Sequence, residues 1–117
     1  MRMSDSIDTT QLLKGVLDLA VLAVLQESDS YGYDVVRRLR EAGLAEVGDA
    51  SVYGTLRRLY QAGALNSYVI PSEEGPNRKY YGLNDRGRAL LDESVETWSG
   101  FTKSLTRILN GRAPHEQ

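Results

Sequence analysis

Two clusters of cations carry the chemistry that can be read from this sequence. Arg57 and Arg58 close the segment Asp49-Ala50-Ser51-Val52-Tyr53-Gly54-Thr55-Leu56-Arg57-Arg58-Leu59, and Arg78-Lys79 begin the segment Arg78-Lys79-Tyr80-Tyr81-Gly82-Leu83. Set at helical intervals, the first segment places Val52, Leu56, Leu59 and Gly63 on one face and Ala50, Gly54, Arg57 and Gln61 on the opposite one. Ser51 and Arg58 lie beside that second face, and Tyr53 and Tyr60 form its flank. Guanidinium groups bind phosphate oxygens and guanine edges in two-pronged geometry. Small residues on the same face let a helix backbone come close to a partner. A glycine inside a helix costs about 1 kcal/mol against alanine, so Gly54 needs an offsetting gain. The chemistry expected of these residues is recognition of duplex DNA, with Arg57 and Arg58 on phosphates or base edges and Arg78 and Lys79 on the backbone.

Bond-making chemistry has little to work with. The chain holds no cysteine and one histidine, His115, in a polar tail. Disulfides, thiolate metal sites and a histidine-based triad are therefore excluded or left without ligands. No nucleophile motif and no glycine-rich phosphate loop is present. The sequence predicts neither an enzyme nor a bound cofactor or metal.

The net charge of −2 is unusual for a nucleic-acid binder, but its distribution is informative. Residues 1–29 carry two Lys/Arg against five Asp/Glu, residues 30–88 nine against seven, and residues 89–117 three against four. The middle of the chain holds the positive excess, and phosphate responds to the local patch more than to the total. The longest apolar run, residues 16–25, is interrupted by Asp18 and falls short of the roughly 20 apolar residues of a membrane helix. A cytoplasmic protein with no membrane partner is expected.

The elements that must position the cations follow from periodicity. Residues 1–10 read as a polar lead, with Thr9 or Thr10 as a cap. A first helix over 11–27 carries Leu12, Leu13, Val16, Leu17, Ala20, Val21, Val24 and Leu25 at helical spacing, and Leu19, Leu22 and Ala23 on other sides. A helix apolar nearly all round is buried on more than one face, which in a chain of 117 residues points to a partner subunit. After a turn at Ser28-Asp29-Ser30, a second helix over 32–42 turns Tyr33, Val35, Val36 and Leu39 inward and Arg37, Arg38 and Arg40 outward, closed by Gly43. The outward arginines read as a solvated face paired with Asp34 or Glu41. Asp49 reads as the cap of a third helix to residue 62, closed by Gly63. Strands over 65–71 and 78–83 flank the turn-rich loop 72–77 and form a hairpin. Asn84 caps a last helix to residue 110. Its Leu91, Val95, Trp98, Thr102, Leu105 and Leu109 make a heptad seam, widened by Leu90, Phe101 and Ile108.

Helix, helix, turn, helix, hairpin and long helix is the winged helix-turn-helix plan. The expected class is α+β, mostly α: a winged helix-turn-helix head over 1–84, a dimerisation helix over 85–110 and a polar tail over 111–117.

Four motifs resemble one family. Leu12-Leu13-Lys14-Gly15-Val16-Leu17, Tyr31-Gly32-Tyr33, Ser51-Val52-Tyr53-Gly54-Thr55-Leu56-Arg57-Arg58-Leu59, and Arg78-Lys79-Tyr80-Tyr81 with Leu83 and Gly87 are similar, in that order, to the signatures of PadR-like repressors. Asn84 stands where the pattern commonly has threonine, and either residue can cap a helix. The resemblance implies a homodimer in which the last helix packs on the partner's first helix. It implies that Tyr53, Gly54 and their neighbours meet the major groove and that Lys14, Tyr31, Arg78 and Lys79 touch phosphates. Leu12, Val16 and the seam residues Leu91, Val95, Trp98, Phe101, Thr102, Leu105 and Leu109 would form the interface. Short family members include multidrug sensors in which a tryptophan on the last helix stacks on planar drugs, so Trp98 either stacks on a planar aromatic inducer or packs in the seam. The expected partners are a roughly palindromic DNA operator, a second copy and such an inducer. A protein-interaction module that binds no DNA is the alternative, favoured by the acidic balance and by Glu73-Glu74 at the hairpin tip.

Overall fold

The computed structural model describes residues 9–111, with side chains from residue 11. The side chains of Thr9 and Thr10, residues 1–8, His115 and the rest of the tail after residue 111 lie outside that description. The elements run α1 (Thr9–Glu27), β1 (Ser30–Tyr31), α2 (Gly32–Glu41), α3 (Asp49–Gln61), β2 (Leu65–Ile70), β3 (Arg78–Leu83) and α4 (Asp85–Gly111).

One core joins all the helices. Leu13, Leu17, Val21, Leu22 and Leu25 of α1 meet Val35, Val36 and Leu39 of α2, Val52, Leu56 and Leu59 of α3, and Leu91 of α4. Val47, Ala64 and Leu65 close it from the connections. Helices α2 and α3 end in the same way. Gly43 and Gly63 adopt left-handed backbone at φ 120° and 85°. The Leu44 N–H donates back to the Leu39 carbonyl, and the Ala64 N–H to that of Leu59, each at 3.0 Å. This is the glycine-terminated motif that satisfies orphaned helix carbonyls, and both glycines are visible in the sequence. At the other end of α3 the cap is Gly48, with no side-chain hydrogen bond, and Asp49 is the first helical residue. Asp49 does not cap the helix because its own backbone is already helical and Gly48 holds the extended cap position; its carboxylate pairs with Arg40 at 3.1 Å.

The sheet has the order β1-β3-β2 and is antiparallel throughout. The wing strands pair from Leu65 opposite Leu83 to Ile70 opposite Arg78. The two-residue strand β1, which replaces the expected simple turn, sets Tyr31 opposite Tyr80. Asn84 then fixes the start of α4. Its Oδ1 accepts the Gly87 N–H at 2.9 Å, and its Nδ2 donates to the Gly63 carbonyl at 2.9 Å. Gly87 allows this junction, since a Cβ there would stand 2.2 Å from the Ala64 carbonyl oxygen.

Two expectations for the helix faces change. Tyr33 is expected on the inward face of α2 but is 63% exposed and lines an open cleft, while Val35 and Val36 of the same turn are buried. Leu91, expected in the seam, is only 3% exposed and is consumed by its own chain's core. Beyond it the seam carries exposed Val95, Trp98, Phe101, Leu105, Ile108 and Leu109.

Candidate nucleic-acid interface

Four elements place cations and tyrosines around one open cleft. Tyr31, Gly32 and Tyr33 come from β1 and the start of α2, Tyr53, Leu56 and Arg57 from α3, and Arg78, Lys79 and Tyr81 from β3. The cleft encloses about 530 Å³ and has three cations and no carboxylate among its described lining residues.

Each cation is held by an aromatic ring or left available. The Arg78 guanidinium lies 4.6 Å from the centre of the Tyr31 ring. The Lys79 ammonium lies 5.5 Å from the Tyr60 ring and 5.6 Å from that of Tyr81. Such contacts orient a cation without neutralising it. Arg57 makes no ion pair among the described residues and is exposed. Strand alternation divides the wing as its sequence predicts, with Arg78 and Tyr80 on one face and Lys79 and Tyr81 on the other.

The tyrosines form the supporting layer. Tyr80 lies between Tyr31, at 5.2 Å between ring centres, and Tyr68, stacked at 5.7 Å. The Tyr68 hydroxyl donates to Asp29 at 2.6 Å, and that bond holds the phenol above its ordinary range. Tyr53 lies directly over Gly32, where a Cβ would stand 2.4 Å from its ring. The Tyr-Gly-Tyr signature is thus a seat for the α3 tyrosine.

The cleft gathers Tyr31, Tyr53, Arg57, Arg78 and Lys79 of the ten expected DNA contacts. Ser51, Gly54 and Gln61 lie on the outer side of α3 but do not line it, and Lys14 stands exposed on α1. Arg58 is directed elsewhere. Its two terminal nitrogens donate to the two carboxylate oxygens of Asp18 on α1, at 2.9 and 2.8 Å. The bonded guanidinium holds the Asp18 carboxyl below its usual range, and Asp18 raises Arg58 in turn.

Sequence reasoning missed Tyr33 and Tyr81 as cleft residues, and it missed the structural task of Arg38. Arg38 was expected on an outer face. It instead donates to the Val24 carbonyl at 2.8 Å, the Ser28 carbonyl at 3.3 Å and the buried Ser30 hydroxyl, and pairs with Glu27 at 2.7 Å. Arg37 does form the expected solvated pairs with Asp34 and Glu41.

A second cavity lies between α1 and α4. Leu12, Val16, Asp18 and Leu19 of α1 face Glu93, Trp98, Phe101 and Leu105 of α4 across about 780 Å³. The Trp98 and Phe101 rings are 5.9 Å apart. No described helix is long and apolar enough to cross a membrane.

Comparison with known proteins agrees with this architecture. A Streptococcus transcriptional regulator is 33% identical over 84% of this chain and 96% of its own, with a TM-score of 0.74. A PadR-like transcriptional regulator from Bacillus cereus is 30% identical over 85% and 96%, with a TM-score of 0.75. Bacillus subtilis PadR, solved in complex with operator DNA, shares the fold at 23% identity and a TM-score of 0.63, over 68% of this chain and 46% of that one. The model of the PadR-like family of transcriptional regulators matches residues 21–93. With this winged helix and this match, the chain belongs to the PadR-like family, whose members are transcriptional regulators and not enzymes.

Proposed function

We propose that this protein is a homodimeric, sequence-specific DNA-binding repressor that occupies a roughly palindromic operator in the cytoplasm and is released by a planar aromatic small molecule. The observation that carries the reading is the convergence of Arg57, Arg78 and Lys79 from two elements on one cleft, with no carboxylate among its described lining residues, beside the outer face of α3. The solved complex of Bacillus subtilis PadR with operator DNA supports it. In this reading residues 1–84 form the head. Helix α3 enters the major groove, with Ala50, Ser51 and Gly54 allowing close approach and Arg57 and Gln61 reaching base edges or phosphates. Tyr31, Tyr53, Arg78, Lys79 and Lys14 serve phosphates.

Helix α4, over residues 85–110, supplies the dimer contact through Val95, Phe101, Thr102, Leu105 and Leu109, joined by Leu12 and Val16 of α1. Exposed apolar side chains in a continuous stripe mark a surface that a partner covers. The dimer sets two α3 helices about 34 Å apart, in successive major grooves. An inducer stacking on Trp98 between the subunits would favour a different spacing of the heads. It can shift that population only by binding one arrangement better than the other.

Selection of duplexes from a random pool by the purified protein, followed by a salt titration of the winner, tests the reading. A palindromic consensus whose affinity falls with salt is the expected result. A stable dimer that enriches no sequence would favour a protein-interaction module instead.

A further inference from the structure

We propose that Asp18 is a specificity-determining residue: it holds Arg58 off the nucleic-acid backbone and so limits affinity for duplexes of arbitrary sequence. The inference rests on the DNA-binding reading above. Arg58 follows Arg57 on α3 and is turned about 100° from it, toward α1. From there a long side chain can reach phosphates beside the groove that α3 enters.

Asp18 occupies Arg58 in the geometry a phosphate would use. Two guanidinium nitrogens meet two oxygens at 2.8 and 2.9 Å, the two-pronged pairing common to carboxylate and phosphate. The pair is exposed to solvent, with the side chains 59% and 49% accessible, and Asp18 also borders the cavity between α1 and α4. A purely structural role is a poor account of it. Leu17 and Val21 of α1 already share a buried core with Leu56 and Leu59 of α3, and an exposed ion pair adds little to such packing. What the pair changes is the number of cations that α3 offers. Phosphate contacts carry no sequence information, and arbitrary-sequence binding depends almost wholly on them. Withholding one arginine therefore removes a larger share of that binding than of operator binding.

The test measures affinity against salt for wild-type protein, Asp18→Asn and Asp18→Asn/Arg58→Ala on a short random-sequence duplex and on the selected operator. Asp18→Asn should tighten random-sequence binding by roughly five- to tenfold per subunit at 0.1 M salt and steepen the salt slope by about 0.9 per subunit. The gain on the operator should be smaller. The double variant should return to the wild-type slope, and Asp18→Glu should keep it. An unchanged slope in Asp18→Asn overturns the proposal. So does a steeper slope that persists in the double variant, because the gain would then come from removing a carboxylate and not from freeing Arg58. Asp18→Ala reads the same quantities if asparagine disturbs α1, since alanine is the stronger helix former. Wild-type protein with no salt-dependent duplex binding would overturn the DNA reading itself, and this proposal with it.

Discussion

Gly54 and Gly32 are both glycine near the same cleft, for opposite reasons. A Cβ at Gly54 would meet nothing within 4 Å among the described residues, so none of them requires glycine there. A Cβ at Gly32 would stand 2.4 Å from the Tyr53 ring. Gly54→Ala should therefore stabilise the protein, by about 1 kcal/mol from helix propensity, yet weaken operator binding by keeping α3 from the groove. Urea unfolding and a duplex titration on the same preparation measure both signs, and unchanged affinity would show that close approach is not what Gly54 provides. Gly32→Ala should push Tyr53 off its seat. The expected result is weaker duplex binding and shifted Tyr53 ring resonances, with stability changed by less than about 1 kcal/mol because the ring is 41% exposed and can swing aside. The need for a reason at Gly54 was legible from its place on the outward helical face. The reason for Gly32 was not, because Tyr53 is distant in sequence and no periodicity links a helix start to a ring on another helix.

At the scale of elements, the corner where α1 hands over to α2 depends on Arg38. Val24, in the last turn of α1, and Ser28, just past its end, present carbonyls to the corner, and Ser30 is fully buried. Arg38 donates to all three, which holds β1 against β3 and keeps Tyr31 beside Tyr80 and Arg78. Arg38→Ala should cost about 1–3 kcal/mol, the range for leaving buried polar groups without their charged donor. Arg37→Ala, which removes only exposed pairs, should stay within about 1 kcal/mol. Urea midpoints at one protein concentration check the contrast, and equal costs would show that the corner does not rely on Arg38. The long helices, the wing and the glycine stops were readable because they repeat a period or end on a residue with special backbone freedom. Strand β1 was not, since two residues are too few to show alternation. Arg38 has the same spacing signal as Arg37 and Arg40, and only the path of the chain around it separates their roles.

At the scale of the whole molecule, α4 extends past the core that the other described elements form. The radius of gyration is 17.4 Å, against about 13 Å for a compact chain near 100 residues, and the longest dimension is 62 Å. Phe101 and Ile108 are 56% and 70% exposed and take no part in the core cluster. Phe101→Asp with Ile108→Asp should therefore leave the head folded while the dimer dissociates. Sedimentation should then report a monomer. The melting temperature, which for a dimer rises with protein concentration, should become independent of it. A variant that stays dimeric would move the interface to another surface. Trp98 divides its two readings under the same assays. It is 43% exposed, beside Phe101 and facing α1 across the second cavity. If it serves a ligand, Trp98→Ala should keep the dimer and lose binding of a planar aromatic dye, followed through the dye's own signal because the variant lacks the tryptophan. If it serves packing, the dimer itself should be lost, and the release of DNA by small molecules would need a site elsewhere.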